Sequence, residues 1–166
     1  PARTGALVVA ALRKALNDAD VDVRAKAVES IGPIAEEWAQ EAILDAYEGA
    51  DEPLRLSAIR AMGYSGLTRW EEYLEDEFAS GNEEMRFEAV VAAGDLGSEL
   101  LIEPLGDLLN DEDPELVLAV VEAIGEIGGE DAIELLKAFA PEAPEGFEEA
   151  IENALAAAAE EGMFRS

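Results

Sequence analysis

A step of 31 residues runs through this chain and decides most of what it can fold into. Arg24, Arg55 and Arg86 stand 31 apart, each behind an acidic or amide turn: Asp18-Ala-Asp20-Val-Asp22, Asp51-Glu-Pro53 and Asn82-Glu-Glu84. Two further steps reach Asp113-Pro114-Glu115-Leu116-Val117 and Pro144-Glu145-Gly146-Phe147-Glu148. Other columns keep the same register without an insertion. Ala27, Ala58, Ala89, Val120 and Ile151 form one, Gly32, Gly63, Gly94 and Gly125 another, and Leu12, Ile43, Leu74, Leu105 and Leu136 a third. A short unit repeated in this way buries its apolar face only against its neighbours.

Each unit reads as two helices. The first runs roughly over Thr4–Asn17, Glu36–Glu48, Thr68–Ala79, Ser98–Asn110 and Asp131–Phe139, with apolar residues at i, i+4 and i+8, as in Val8, Leu12 and Leu16. Thr68 and Glu71 have the spacing of a capping box. The second helix opens at Asp20, Asp51, Asn82 and Asp113, whose short side chains suit an N-cap, and Pro114 fits a first helical position. Gly32, Gly63, Gly94 and Gly125 are expected to end these helices or start the turn beyond. Core positions on the second helix are expected at 23, 27, 30 and 31. Arg24 then lies about 50° from the core centre, half-buried, and is expected to pin an Asp at the start of a second helix in its own or an adjacent unit.

The pattern D-x-D-x-x-V-R-x-x-A-x-x-x-[IM]-G, with x-x-L-x-x-x-L before it, resembles the short HEAT-like repeats of the phycobilisome-lyase type, best over Val8–Lys137. The expected fold is all-α: a right-handed α-solenoid of about five 31-residue helix-pair repeats. It forms one domain over 1–166, with units roughly 4–35, 36–66, 67–97, 98–128 and 129–166. The last unit departs from the pattern, with Pro144 for the capping Asp, Glu148 for the Arg and Ala156 for the Gly, and with its Ala154–Glu161 tail it reads as a terminal cap. The resemblance implies an interaction scaffold whose second helices line a concave side. It does not imply a reaction.

Composition narrows the chemistry. The 166 residues include no His and no Cys, which removes disulfides, zinc fingers, thiol nucleophiles and Ser–His–Asp sites. Asp and Glu number 39 against 11 Lys and Arg, for a formal charge of −28, so phosphate backbones and anionic lipids are repelled; neither nucleic acid nor membrane is expected as a partner. Hydrophobic residues make up 49%, too many for a disordered acidic chain. No apolar run has the length of a membrane span and no signal peptide is visible, so a soluble, cytoplasmic protein is expected. The opening Pro1, without Met, is expected to follow processing or excision. The acidity fits either a salt-loving source or a basic partner.

Catalysis finds no support. Asp18, Asp20, Asp22 and Glu29 match four places of a calcium loop, but Val23 occupies the place that requires Gly. The glycines recur once per unit and make no phosphate loop. Among enzymes bearing similar repeats, the iron hydroxylases need His-Glu motifs and the DNA-repair glycosylases a basic groove. Neither is present. No catalytic residue, cofactor or metal is expected.

The outward column of the second helices holds the candidate site. It reads Ala25, Leu56, Phe87, Leu118 and Glu149, with Val91 one turn after Phe87. Leu56, Phe87, Val91 and Leu118 are expected to form an apolar ladder, completed by Arg60, Glu84, Glu88, Glu115 and Glu122. Apolar groups rimmed by like charge suit a basic protein or peptide with apolar anchors. The alternatives are burial of the strip within the chain, a homodimer contact, or an accessory, substrate-presenting subunit of a modifying enzyme such as a phycobilin-lyase-like complex.

Overall fold

The computed structural model describes residues 2–165, and all regular structure among them is helical. Ten α-helices alternate as first and second members of five pairs. They are α1 (Ala2–Ala15), α2 (Val21–Ser30), α3 (Glu37–Glu48), α4 (Glu52–Tyr64), α5 (Glu71–Phe78), α6 (Glu83–Leu96), α7 (Ile102–Asp107), α8 (Pro114–Ile127), α9 (Glu130–Phe139) and α10 (Glu148–Arg165). The fold is an α-solenoid. Its helices cluster into two compact units, one ending at Leu67 and one beginning at Thr68. In the first, α2 packs on α1, α3 and α4; in the second, α8 packs on α6, α7, α9 and α10.

The core follows the repeat columns. Ile43, Leu74, Leu105 and Leu136 on the first helices are wholly buried, as are Ala39, Trp70 and Ala132 one turn earlier. On the second helices Ala58, Ala89 and Val120 are equally closed. A second buried column, Val28, Ile59, Val90 and Val121, widens the apolar arc beyond the sequence reading. Position 23 was expected in the core. Its equivalents Met85 and Leu116 are buried, but Val23 itself is 40% exposed.

Side chains fix the entry to each second helix. Asp20 accepts the Asp22 amide, Asn82 those of Glu84 and Met85, and Asp113 that of Glu115. Asp51 holds the N-cap position without such a bond. A further column stands two residues upstream: Asp18 Oδ1 accepts from the Asp20 N–H, Ser80 Oγ from Asn82 and Asp111 Oδ1 from Asp113. The equivalent residue in the second repeat is Gly49, which has no side chain to offer.

The Arg column behaves as a set of pins in both units. Arg24 Nη1 donates to the carbonyls of Asp18 (2.9 Å) and Ala19 (3.1 Å), and Nη2 lies 3.6 Å from Asp51 Oδ2 in the next repeat. Arg86 Nη1 lies 3.5 Å from Asp111 Oδ2. Arg55 stacks over the Tyr47 ring, 4.9 Å from its centroid.

Two local expectations are corrected. Thr68–Trp70 forms a 3-10 turn and Trp70 takes the N-cap position of α5, while the Glu71 carboxylate accepts the Ser98 hydroxyl of the following repeat, so Thr68 and Glu71 form no capping box. The column Gly32, Gly63, Gly94 and Gly125 does not end helices by positive φ. Gly63, Gly94 and Gly125 lie inside α4, α6 and α8. A Cβ on Gly32 would meet the Ala61 carbonyl oxygen at 2.7 Å, one on Gly94 the Ala123 Cα at 3.0 Å and one on Gly125 the Ala154 Cα at 2.7 Å. Within each unit these glycines let successive second helices touch, α2 on α4, α6 on α8 and α8 on α10. Helix ends belong to another column, Gly66, Gly97 and Gly128, at φ 64°, 70° and 71°.

Candidate functional site: the outer face of the second helices

Spacing by 31 and by four brings three rows together on α6 and α8, which pack side by side. Phe87 faces the same side as Leu118, Val91 as Glu122, and Asp95 as Glu126. Inward-facing Met85, Ala89, Val90 and Ala93 are buried and hold α6 in place. That leaves Phe87 39% and Val91 37% exposed, with Leu118 half-buried. Glu84, Glu115 and Glu122 are exposed and Glu88 is half-buried.

Leu56 does not join them. It is 8% exposed and stands in an unbroken buried run, Leu56, Ser57, Ala58 and Ile59. Four consecutive helical residues sweep about 300°, so α4 is covered on more than one side at this level. The expectation of Leu56 as an open rung is corrected. Arg60, one turn on, is half-buried. The exposed apolar residues of the ladder that remain, Phe87 and Val91, lie on α6 beside half-buried Leu118 of α8, in the second unit.

The far end of this face carries carboxylates that the sequence reading passed over. Partial desolvation raises the carboxyl of Asp95 above its usual range, exposed though the residue is, and the charge of Glu88 adds to it. Glu126, also exposed, is raised first by partial desolvation, then by Asp95 and Glu122. The signal lay in the repeat: both follow an outward-facing residue by one helical turn. Their raised affinity for protons marks a place where a cation lowers the free energy. No group of three or more His, Cys, Asp or Glu among the described residues is arranged to hold a metal ion. In the failed calcium template, Asp18 and Asp20 serve as turn and cap acceptors.

Among the described residues no helix is long and apolar enough to cross a membrane. The family of HEAT repeats matches residues 70–156, more than half the chain. No curated protein matches it. Among solved structures, it is similar to a chain in the complex of CpcE and CpcF of phycocyanin lyase from Nostoc sp. PCC7120, with 26% identity and a TM-score of 0.67. The match covers 92% of this chain and 65% of that one, so this chain spans about two-thirds of its relative's length. It is also similar in fold to a designed armadillo repeat protein in complex with the peptide (KR)4, with 23% identity, a TM-score of 0.60 and coverage of 89% and 80%. A computationally designed armadillo repeat protein for modular peptide recognition matches with 23% identity, a TM-score of 0.52 and coverage of 88% and 80%.

Proposed function

This chain belongs to the HEAT repeat family, and we propose on that footing that it is a non-enzymatic scaffold holding a basic protein or peptide segment on the outer face of its second helices. The observation that carries the reading is the pairing, on α6 and α8, of exposed Phe87 and Val91 with a carboxylate rim. Apolar anchors supply affinity when desolvated, while the Glu side chains raise the encounter rate and reject acidic competitors. Asp95 and Glu126 suit a Lys or Arg one helical turn beyond the apolar anchor. Solenoid relatives seen with a second protein or with a peptide make a protein partner the natural class.

The second reading is an accessory subunit that presents a substrate protein to a modifying enzyme. What favours it is the likeness to one chain of a phycocyanin lyase complex. Co-purification of a catalytic protein or chromophore with this chain is its distinguishing result.

The test is fluorescence anisotropy with a labelled synthetic peptide in which Leu alternates with Lys and Arg. Wild type binds it, binding weakens with salt, and Phe87→Glu weakens it by about tenfold or more, as expected for a central anchor. A folded Phe87→Glu protein that binds the peptide as wild type does overturns the proposal.

A further inference from the structure

The first helices carry a groove of their own. It lies between α5 and α7, where the Glu99–Leu101 turn leading into α7 packs on α5, and its volume is about 640 Å3. Phe78, Leu100 and Leu108 give it apolar surface, and Glu75, Glu103 and Asp107 give it carboxylates. Phe78 is buried and Leu108 half-buried, so both belong to the packing of their repeats. Leu100 does not. It is 74% exposed, more than any other large apolar side chain among the described residues. The equivalent places one repeat before and one repeat after hold Arg69 and Asp131, so the fold asks for no apolar group there. Together with Phe78 and Leu108, Leu100 makes a patch rather than a lone exposed residue, and such a patch marks a contact surface.

The rim sets the chemistry of what fits. Glu75 comes from α5 and Glu103 and Asp107 from α7, the last two one helical turn apart, and all three are exposed. Neither α5 nor α7 contains a Lys or Arg, and none occurs anywhere over 87–136. Both walls are therefore anionic. An acidic segment is repelled, and an uncharged apolar one gains nothing from the rim. A metal ion is ill-suited, since no group of three or more His, Cys, Asp or Glu among the described residues is arranged to hold one. A cationic segment with an apolar side chain meets both parts of the surface.

We propose that this groove is a second docking site, separate from the outer face of α6 and α8, for a short protein segment that presents one large apolar side chain between Lys or Arg residues. The apolar side chain lies against Leu100, Phe78 and Leu108. The flanking cations face Glu75 on one wall and Glu103 and Asp107 on the other. The groove is built from first helices and the outer face from second helices, so filling one leaves the other open. A partner carrying two such segments on one tether holds both sites, and its second contact forms at high effective concentration.

Methyl NMR of the full chain, titrated with the synthetic peptide Lys-Arg-Phe-Arg-Lys, tests it. The Leu100 and Leu108 methyl signals shift saturably, and they do so equally in Phe87→Glu, which disables the outer face. Binding read at the Leu108 methyls weakens about tenfold or more in Leu100→Glu and severalfold in Glu103→Gln/Asp107→Asn. The acidic peptide Glu-Asp-Phe-Asp-Glu leaves these signals in place. All the substituted side chains of the groove are exposed, and circular dichroism checks that each variant stays folded. The groove is overturned as a docking site if Leu100 and Leu108 do not shift, if the acidic peptide shifts them equally, or if the groove variants bind as wild type does. Shifts confined to Val91 and Leu118 keep the outer face and remove the groove; shifts confined to Leu100 and Leu108 uphold the groove whatever becomes of the outer face.

Discussion

Gly125 lies against Ala154 so closely that a methyl group on the glycine would sit 2.7 Å from the alanine Cα and 2.9 Å from its carbonyl oxygen. The obstacle is backbone, which cannot swing aside as a side-chain end can. Within each unit the same relationship joins Gly32 to Ala61 and Gly94 to Ala123. Helix-to-helix spacing is therefore set by the absence of one carbon atom.

Gly125→Ala is accordingly expected to destabilise by about 2 kcal/mol or more, although alanine is the better helix former by about 1 kcal/mol. Gly5→Ala in α1, where nothing lies within 4 Å, is expected to stabilise instead. Urea denaturation of the two variants gives opposite shifts in midpoint. Equal shifts would remove the close-packing role.

Gly49 offers the converse case. Its backbone (φ −68°, ψ 164°) matches that of Asp111 (φ −65°, ψ 151°), so a side chain fits there without strain. Gly49→Ser would provide the acceptor that Ser80 gives to Asn82 and is expected to raise stability by about 0.5–1 kcal/mol. The Asp45 carbonyl, 3.2 Å from the new Cβ, must yield slightly. Thermal melting against wild type checks the sign.

These two sites show what was readable and what was not. Periodicity exposed the units, the helix pairs, the caps at Asp20, Asn82 and Asp113, and the pins at Arg24 and Arg86, since each depends on neighbours within the unit or one step away. Two glycine columns share the same period, and a sequence does not say which of them meets a helix before its last turn. Hence the column pattern points to Gly125 as the stop, whereas Gly128 is the stop. Leu56 and Phe87 share a column as well, yet one is buried and one open. A helical wheel gives direction but not the thickness of what lies in that direction.

Arg86 and Asp111 form the tighter ion pair of the two, with side chains 24% and 19% exposed. One Asp111 oxygen faces the guanidinium and the other holds the Asp113 amide. A double-mutant cycle with Arg86→Ala and Asp111→Ala is expected to give a coupling of about 1 kcal/mol, reduced for the more exposed Arg24 and Asp51. A coupling of zero at Arg86 would leave the column without an energetic role.

Acid should favour the Asp95–Glu126 cluster. Both carboxyls hold their protons above the ordinary values of 3.8 and 4.5. Just above those values the folded state binds more protons than the unfolded one, so this contribution is full at low pH and is lost as pH rises through the raised values. Asp95→Asn and Glu126→Gln should therefore stabilise at neutral pH, with the gain vanishing toward about pH 4. Denaturation at stepped pH reads the difference directly, and a gain that persists in acid would point to another cause.

Net charge predicts a response to salt. With −28 on 166 residues, self-repulsion opposes the compact state, and screening should raise the melting temperature between low and about 1 M salt. A flat series would leave selection for a basic partner as the remaining explanation of the acidity.

Glu152 bears on how such an array can grow. It occupies, in α10, the place that Val28, Ile59, Val90 and Val121 fill with buried aliphatic carbon. A duplicated module spliced in after Gly97 would find a glycine on one flank and an alanine on the other, ready to mesh. A copy of the last repeat would instead present the Glu152 carboxylate where its counterparts present aliphatic carbon, so that repeat is the poorer template for duplication.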